Sequence, residues 1–136
     1  MSLHAHKCNK SVIIKAGTGA SRHYFKVEDK HISRNIKKTD NPPEMQLPDN
    51  TTVTAVEQGA LFLHKKLTPQ AQSTQIIPAI TNSSLLSIGQ LCDDNCTAVF
   101  NKRDVKIYKD NDIIVKGQRS LHDGLWDINL PPFTHH

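Results

Sequence analysis

Short apolar runs rich in β-branched residues, separated by polar turn-forming clusters, set the pattern of this chain. Residues 11–14 (Ser-Val-Ile-Ile) read as a strand that runs into the glycine-containing turn Ala16-Gly17-Thr18-Gly19-Ala20-Ser21. The stretch 22–38 is basic and mixed, with no apolar stripe at helical spacing, and predicts no regular element. Asp40-Asn41-Pro42-Pro43 marks a loop. Residues 46–56 predict a hairpin about the turn Pro48-Asp49-Asn50, because Thr51, Thr52, Val53 and Thr54 suit a pleated surface. Residues 60–63 and 75–77 predict further strands, the second ended by Pro78. Residues 85–91 (Leu-Leu-Ser-Ile-Gly-Gln-Leu) read as strand, turn and one or two helical turns. Strands over 97–101, 105–108 and 113–115 alternate with polar turns, and a last strand over 124–130 carries the single Trp before Pro131-Pro132. Short strands at intervals of about 8 to 12 residues predict a mostly β barrel or sandwich.

The chain has 136 residues, enough for one domain. Residues 1–10 are expected to be a flexible leader, 11–130 the folded domain and 131–136 a tail. No apolar run approaches the roughly 20 residues that span a bilayer, so no membrane partner is expected. The N-terminus lacks the apolar stretch of a secretory signal, which predicts an intracellular protein. The formal net charge of +4 becomes informative only if the basic residues share a face, and the stretch 22–38 is where nucleic acid or an acidic partner would bind. Three cysteines, Cys8, Cys92 and Cys96, cannot all pair within one chain, and free thiols are expected. Cys92 and Cys96 lack a second pair at ligand spacing, so neither a metal nor a cofactor is predicted.

The candidate chemistry is narrow. Gly17-Thr18-Gly19 after a strand resembles a dinucleotide fingerprint, but Arg22 stands where the third glycine is needed and no helix opens there. Ser21 and His23 are close in sequence, yet the chain has no Gly-x-Ser-x-Gly elbow for a hydrolase. Histidines in polar sequence, such as His31 and His64, read as solvated rings. Lys15, two residues before the glycine turn, reads as an outward-facing, solvated side chain.

The order of the Gly17-Thr18-Gly19-Ala20 turn, the Leu47-Pro48-Asp49-Asn50-Thr51 hairpin, the Ile77-Pro78-Ala79-Ile80 segment and Leu85-Leu86-Ser87-Ile88-Gly89-Gln90-Leu91 resembles the aspartic protease domain of Copia-type retrotransposon polyproteins. The tail from Ile114 to Trp126 resembles that family's closing strands, which lead toward the next polyprotein segment. The resemblance implies a retropepsin-like fold: a closed β-barrel or sandwich with a flap hairpin and one short helix. It implies a homodimeric endopeptidase that processes a Gag-Pol polyprotein within cytoplasmic virus-like particles, with no cofactor. Each subunit of such an enzyme supplies one Asp-Thr-Gly-Ala loop, and the two aspartates share a proton so that one acts as general base and the other polarises the scissile carbonyl. In this chain the loop reads Gly17-Thr18-Gly19-Ala20, and the carboxylate is absent. No Asp-Thr-Gly or Asp-Ser-Gly occurs elsewhere, so a homodimer is expected to be inactive as written. By the same resemblance Pro48, Asp49, Asn50 and Thr51 of the flap, with Leu86, Ser87 and Ile88, are the expected substrate-binding positions. The alternative is a non-catalytic peptide- or nucleic-acid-binding module on the same β fold.

Overall fold

The computed structural model describes residues 10–42, 44–47 and 49–131. Residues 1–9 of the expected leader, Pro43, Pro48 and residues 132–136 of the expected tail lie outside them. Among the described residues twelve strands occur in the order β1 (Val12–Gly17), β2 (His23–Phe25), β3 (Arg34–Lys38), β4 (Glu44–Gln46), β5 (Thr52–Thr54), β6 (Glu57–Ala60), β7 (Ser73–Ile76), β8 (Leu85–Ser87), β9 (Thr97–Phe100), β10 (Asp104–Lys109), β11 (Asp112–Arg119) and β12 (Trp126–Leu130). A short α-helix, α1 (Ile88–Cys92), follows β8, and 3-10 turns cover Val27–Ile32 and Gln70–Gln72. The fold is mostly β, as the strand pattern predicts.

Ten strands form one sheet in the order β3-β6-β7-β2-β8-β1-β12-β11-β10-β9, while β4 and β5 pair as a separate hairpin. The sheet is not closed, and this corrects the expected barrel. Closure would require β3 and β9 to exchange hydrogen bonds. They are instead the two free edges of the sheet, and β3 is irregular, with a register break against β6 between Arg34 and Lys37, where Asn35 takes a φ of 54°. Ten strands of normal twist still coil, and the curvature gathers one core from strands distant in order. Val12 and Ile14 of β1, Phe25, Ile76, Leu86, Val105, Ile107, Val115, Ile128 and Leu130 all join it, with Leu91 of α1. A smaller cluster, Ala20, Tyr24, Met45, Ala55 and Ile77, lies where the β4–β5 hairpin meets the sheet.

β1 shows how the pattern becomes structure. Val12 and Ile14 are buried while Ile13 between them is exposed, the period of two that one covered face demands. β2 breaks this rule. His23, Tyr24 and Phe25 are all fully buried because β2 sits between β7 and β8 with both faces covered. The expected absence of structure over 22–38 is therefore corrected: this stretch holds β2, a 3-10 turn and β3. The expected strand over 60–63 is also displaced, since β6 ends at Ala60 and Phe62 projects outward at 57% exposure.

Gly117 has a steric reason. A Cβ there would collide with the Asp127 carbonyl oxygen of β12, whereas a Cβ on Gly89 of α1 meets nothing closer than 3.8 Å. Gly117→Ala is expected to lower stability by about 1 to 3 kcal/mol through strand displacement. Gly89→Ala is expected to raise it by about 0.5 to 1 kcal/mol. Thermal unfolding of the two variants checks both signs.

Candidate functional site

The glycine turn leaves β1 at the centre of the sheet. β1 runs parallel to β8, with Gly17 opposite Ser87, and antiparallel to β12 on its other side. Thr18 and Gly19 are exposed at the top of the turn, and Ala20 is buried beneath it. The Ser87 hydroxyl donates to the Ala20 carbonyl at 2.7 Å and accepts from the Gln90 amide at 3.0 Å. One side chain thus caps α1 and fastens the end of the turn.

Ser87 and Gln90 stand at the spacing of a capping box, in which the Gln would reach back to the Ser87 amide. His23 is inserted into that exchange. Its amide donates to Gln90 Oε1 at 2.8 Å, and its Nδ1 accepts from the Ser87 amide at 2.8 Å. Because Nδ1 accepts, Nε2 carries the proton and donates to the Ala71 carbonyl at 2.7 Å. Gln90 Nε2 completes the net with the carbonyls of Gln70 and Ser73. Burial pushes the His23 pKa down to about 4, against a smaller opposing effect of the Ala71 bond, so the ring is neutral at physiological pH.

Ser87 and His23 in contact invite a nucleophile–base reading, which the geometry refuses. The imidazole faces the Ser87 amide, not its hydroxyl, and both residues are fully buried. Leu86 is likewise wholly buried and Ile88 nearly so. These three expected substrate-binding positions are buried beside the turn.

The hairpin β4–β5 is tied to the turn through Tyr24. Its buried phenol lies 2.8 Å from the Ser21 hydroxyl and donates to the Gln46 carbonyl of β4 at 3.4 Å. At the hairpin tip Asp49 accepts from the Thr51 hydroxyl at 2.6 Å and from its amide at 3.0 Å. These bonds hold the exposed Asp49 carboxyl below its ordinary pKa. Asn50 takes a φ of 71° and accepts from Gln46 Nε2. Asp49, Asn50 and Thr51 are exposed but spend their side chains on their own turn. A groove of about 660 Å³ opens beside this pair of elements, lined by Ser21, Arg22, Glu44, Gln46, Gln90 and Asp93.

Gly17, at the strand end, has room for a side chain. A Cβ there would meet Ala20 Cβ at 3.6 Å and Leu85 Cδ2 at 3.7 Å, ordinary contact distances, and its φ is not in the left-handed region. Lys15, two residues earlier, is not the solvated side chain the sequence predicts. Its ammonium pairs with Asp123 at 2.7 Å and with Asp127 of β12, which raises its pKa and lowers that of Asp123. The cation is thereby neutralised on the β12 side. Among the described residues no three His, Cys, Asp or Glu groups gather as metal ligands. Cys92 is exposed and Cys96 buried, both unpaired, and burial raises the Cys96 pKa. The described residues contain no helix long and apolar enough to cross a membrane.

No family model matches the chain, and no curated protein or solved structure does so either. The sequence shows His23 only as a neighbour of Ser21 and gives no role to Tyr24 or to the Gln90 side chain. The Ser-x-x-Gln spacing was the one local signal for Gln90; the partners of His23 lie 48 and 64 residues away and leave no local trace.

Proposed function

We propose that this chain is a retropepsin-like aspartic endopeptidase domain of Copia type that is inactive as written, because Gly17 stands where the catalytic aspartate belongs. The observation that supports the reading best is the setting of the 17–20 turn. It ends a central strand, lies beside a parallel strand that leads straight into a short helix, and is held at Ala20 by the Ser87 hydroxyl. Strand β4 of the neighbouring hairpin lines one side of a groove that Ser21 and Arg22, just after the turn, also line. A single chain offers one such turn, so the working unit in this reading is a homodimer with both turns at the two-fold axis. The substrate is an extended polypeptide, a Gag-Pol polyprotein by resemblance, and the setting is the cytoplasmic virus-like particle. Thr18 would bond across the dimer, and Gly19 would admit close backbone approach.

The chain as written lacks any general base in the turn, so hydrolysis stops at binding. The test restores the carboxylate. The Gly17→Asp protein and the unaltered chain are assayed on an unfolded protein substrate near pH 5, with and without pepstatin. Cleavage by the variant alone, blocked by pepstatin, is the expected result. Cleavage by neither, with both folded, contradicts the reading.

A further inference from the structure

The two edges of the ten-stranded sheet are unlike. β3 carries Lys37 and Lys38 and has a broken register, devices that discourage a further strand. β9 has none of them. Its sequence Thr-Ala-Val-Phe holds no charge and no proline, and it pairs evenly with β10, from Thr97 opposite Tyr108 to Phe100 opposite Val105. The Asn101 amide donates to the Asp104 carbonyl at 2.9 Å, which makes 101 and 104 a hydrogen-bonded pair of this antiparallel ladder. Bonded pairs alternate, so Thr97 and Val99 spend their amides and carbonyls on β10, while Ala98 and Phe100 turn theirs to the open side. No hydrogen bond reaches them there among the described residues. Val99 stands on this edge at 48% exposure. The two ends of the edge differ in charge. Beyond Phe100, Lys102 and Arg103 are exposed and make no ion pair among the described residues, and Asp104 accepts from Asn101 Nδ2 at 2.9 Å. At the Thr97 end stand Asp93 and, in the β10–β11 turn, Asp110, both exposed and likewise without an ion pair. Asp94 and Asp112 near them are paired with Lys109 and Lys66.

We propose that β9 is a self-association edge, to which a second copy of this chain adds its own β9 in antiparallel direction across a two-fold axis at Val99. Ala98 of each copy then exchanges both backbone bonds with Phe100 of the other, and the two Val99 side chains meet on the axis. In that register residues 102 and 103 fall opposite 96 and 95. The basic end of each edge therefore lies against the acidic end of the other, so the edge is its own complement. Parallel addition would set like ends together, and an unrelated extended peptide brings no such order of charge. Two Ala98–Phe100 exchanges between short strands make a small interface, and the association is reversible and weak. The edge lies four strands from β1, so this pairing leaves the 17–20 turn open and is independent of the protease reading.

Disulfide trapping tests it in the full chain, with Cys8→Ser and Cys92→Ser as background. Val99→Cys sets two thiols across the axis in a non-hydrogen-bonded pair, about 4.5 Å between Cα atoms, which a disulfide can bridge. Mild oxidation at roughly 100 µM protein is expected to give the covalent dimer as the main product. Adding Ala98→Pro removes an amide that β10 does not use and is expected to cut the trapping rate at least about tenfold. Adding Lys102→Glu/Arg103→Glu sets like charges together and is also expected to cut it about tenfold, without touching the ladder. Ile13→Cys is the control: it is 61% exposed but lies on β1, inside the sheet, and is expected not to trap. A dimer made through the 17–20 turn would hold the two β9 edges apart by several strand spacings of about 4.8 Å and would not trap either. Thermal melting shows which variants are folded, and the charge reversal decides if Ala98→Pro is not. No trapped dimer from folded Val99→Cys overturns the proposal. Trapping undiminished by the charge reversal, or matched by Ile13→Cys, overturns it as well.

Discussion

Gly17→Asp is expected to raise peptidase activity at least about a thousandfold over the unaltered chain, because members of a catalytic unit contribute by orders of magnitude and not by increments. Three features favour so large a gain from one substitution. The Cβ has space against Ala20 and Leu85, and the backbone is one that L-residues adopt, so the turn need not rebuild. The end of the turn is fixed by Ser87, which places the new carboxylate on a rigid support. Lys15, the nearest cation in sequence, is occupied by Asp123 and Asp127. It therefore acts less strongly against the shared proton that two facing aspartates require. Gly17→Asn, of similar size but without a carboxylate, should fold equally well and remain inactive. The comparison of the three proteins in one assay checks the claim.

The second large effect concerns pH and resides in His23. Its folded pKa of about 4 lies below the ordinary value of 6.5, so the fold holds the ring neutral while the unfolded chain takes up a proton. The stability it contributes is complete above pH 6.5 and is lost progressively as pH falls toward 4. The full loss amounts to about 3 kcal/mol. Asp49, Asp94, Asp112 and Asp123 are shifted downward from an ordinary 3.8, so their stabilising effects fade only below that pH. The interval from pH 6.5 to 4.5 therefore isolates the histidine. Urea unfolding across it should show declining stability in the parent. In His23→Gln the protein should be weaker at pH 7.5, having lost bonds to Ser87 and Ala71, yet nearly flat over the same interval. A parent curve without slope would contradict the buried neutral ring. This window includes the acid pH of the peptidase assay, so folding must be followed there in each protein.

Much of the second half was legible in the sequence because its contacts are local. The hairpin β10–β11 turns on Asp110 and Asn111, both at positive φ, and the Lys109-Asp110-Asn111-Asp112 cluster marks it without tertiary information. Strand β8 followed by α1 was readable from Leu85-Leu86-Ser87 and the capping serine. β2 was not, since burial on both faces erases the alternation that identifies a strand. β3 was hidden by its lysines, which suit an edge and resemble a loop. The parallel pairings β1–β8 and β2–β7 join distant segments, and no spacing rule predicts them. At the candidate site the turn Gly17-Thr18-Gly19-Ala20 was visible as a motif. Its support by His23, Ser87 and Gln90 was not, because that net is assembled only by the fold.

The central claim is that two copies of the 17–20 turn, each carrying a carboxylate, would form one active site. Mixing the Gly17→Asp protein with the unaltered chain tests it most directly, with activity measured per variant chain after exchange of subunits. The account predicts that an equal amount of unaltered chain lowers this activity to about half and a tenfold excess to about a tenth, as random pairing in a two-fold dimer requires. Activity that is indifferent to the unaltered chain, or absent from the variant throughout, would contradict it.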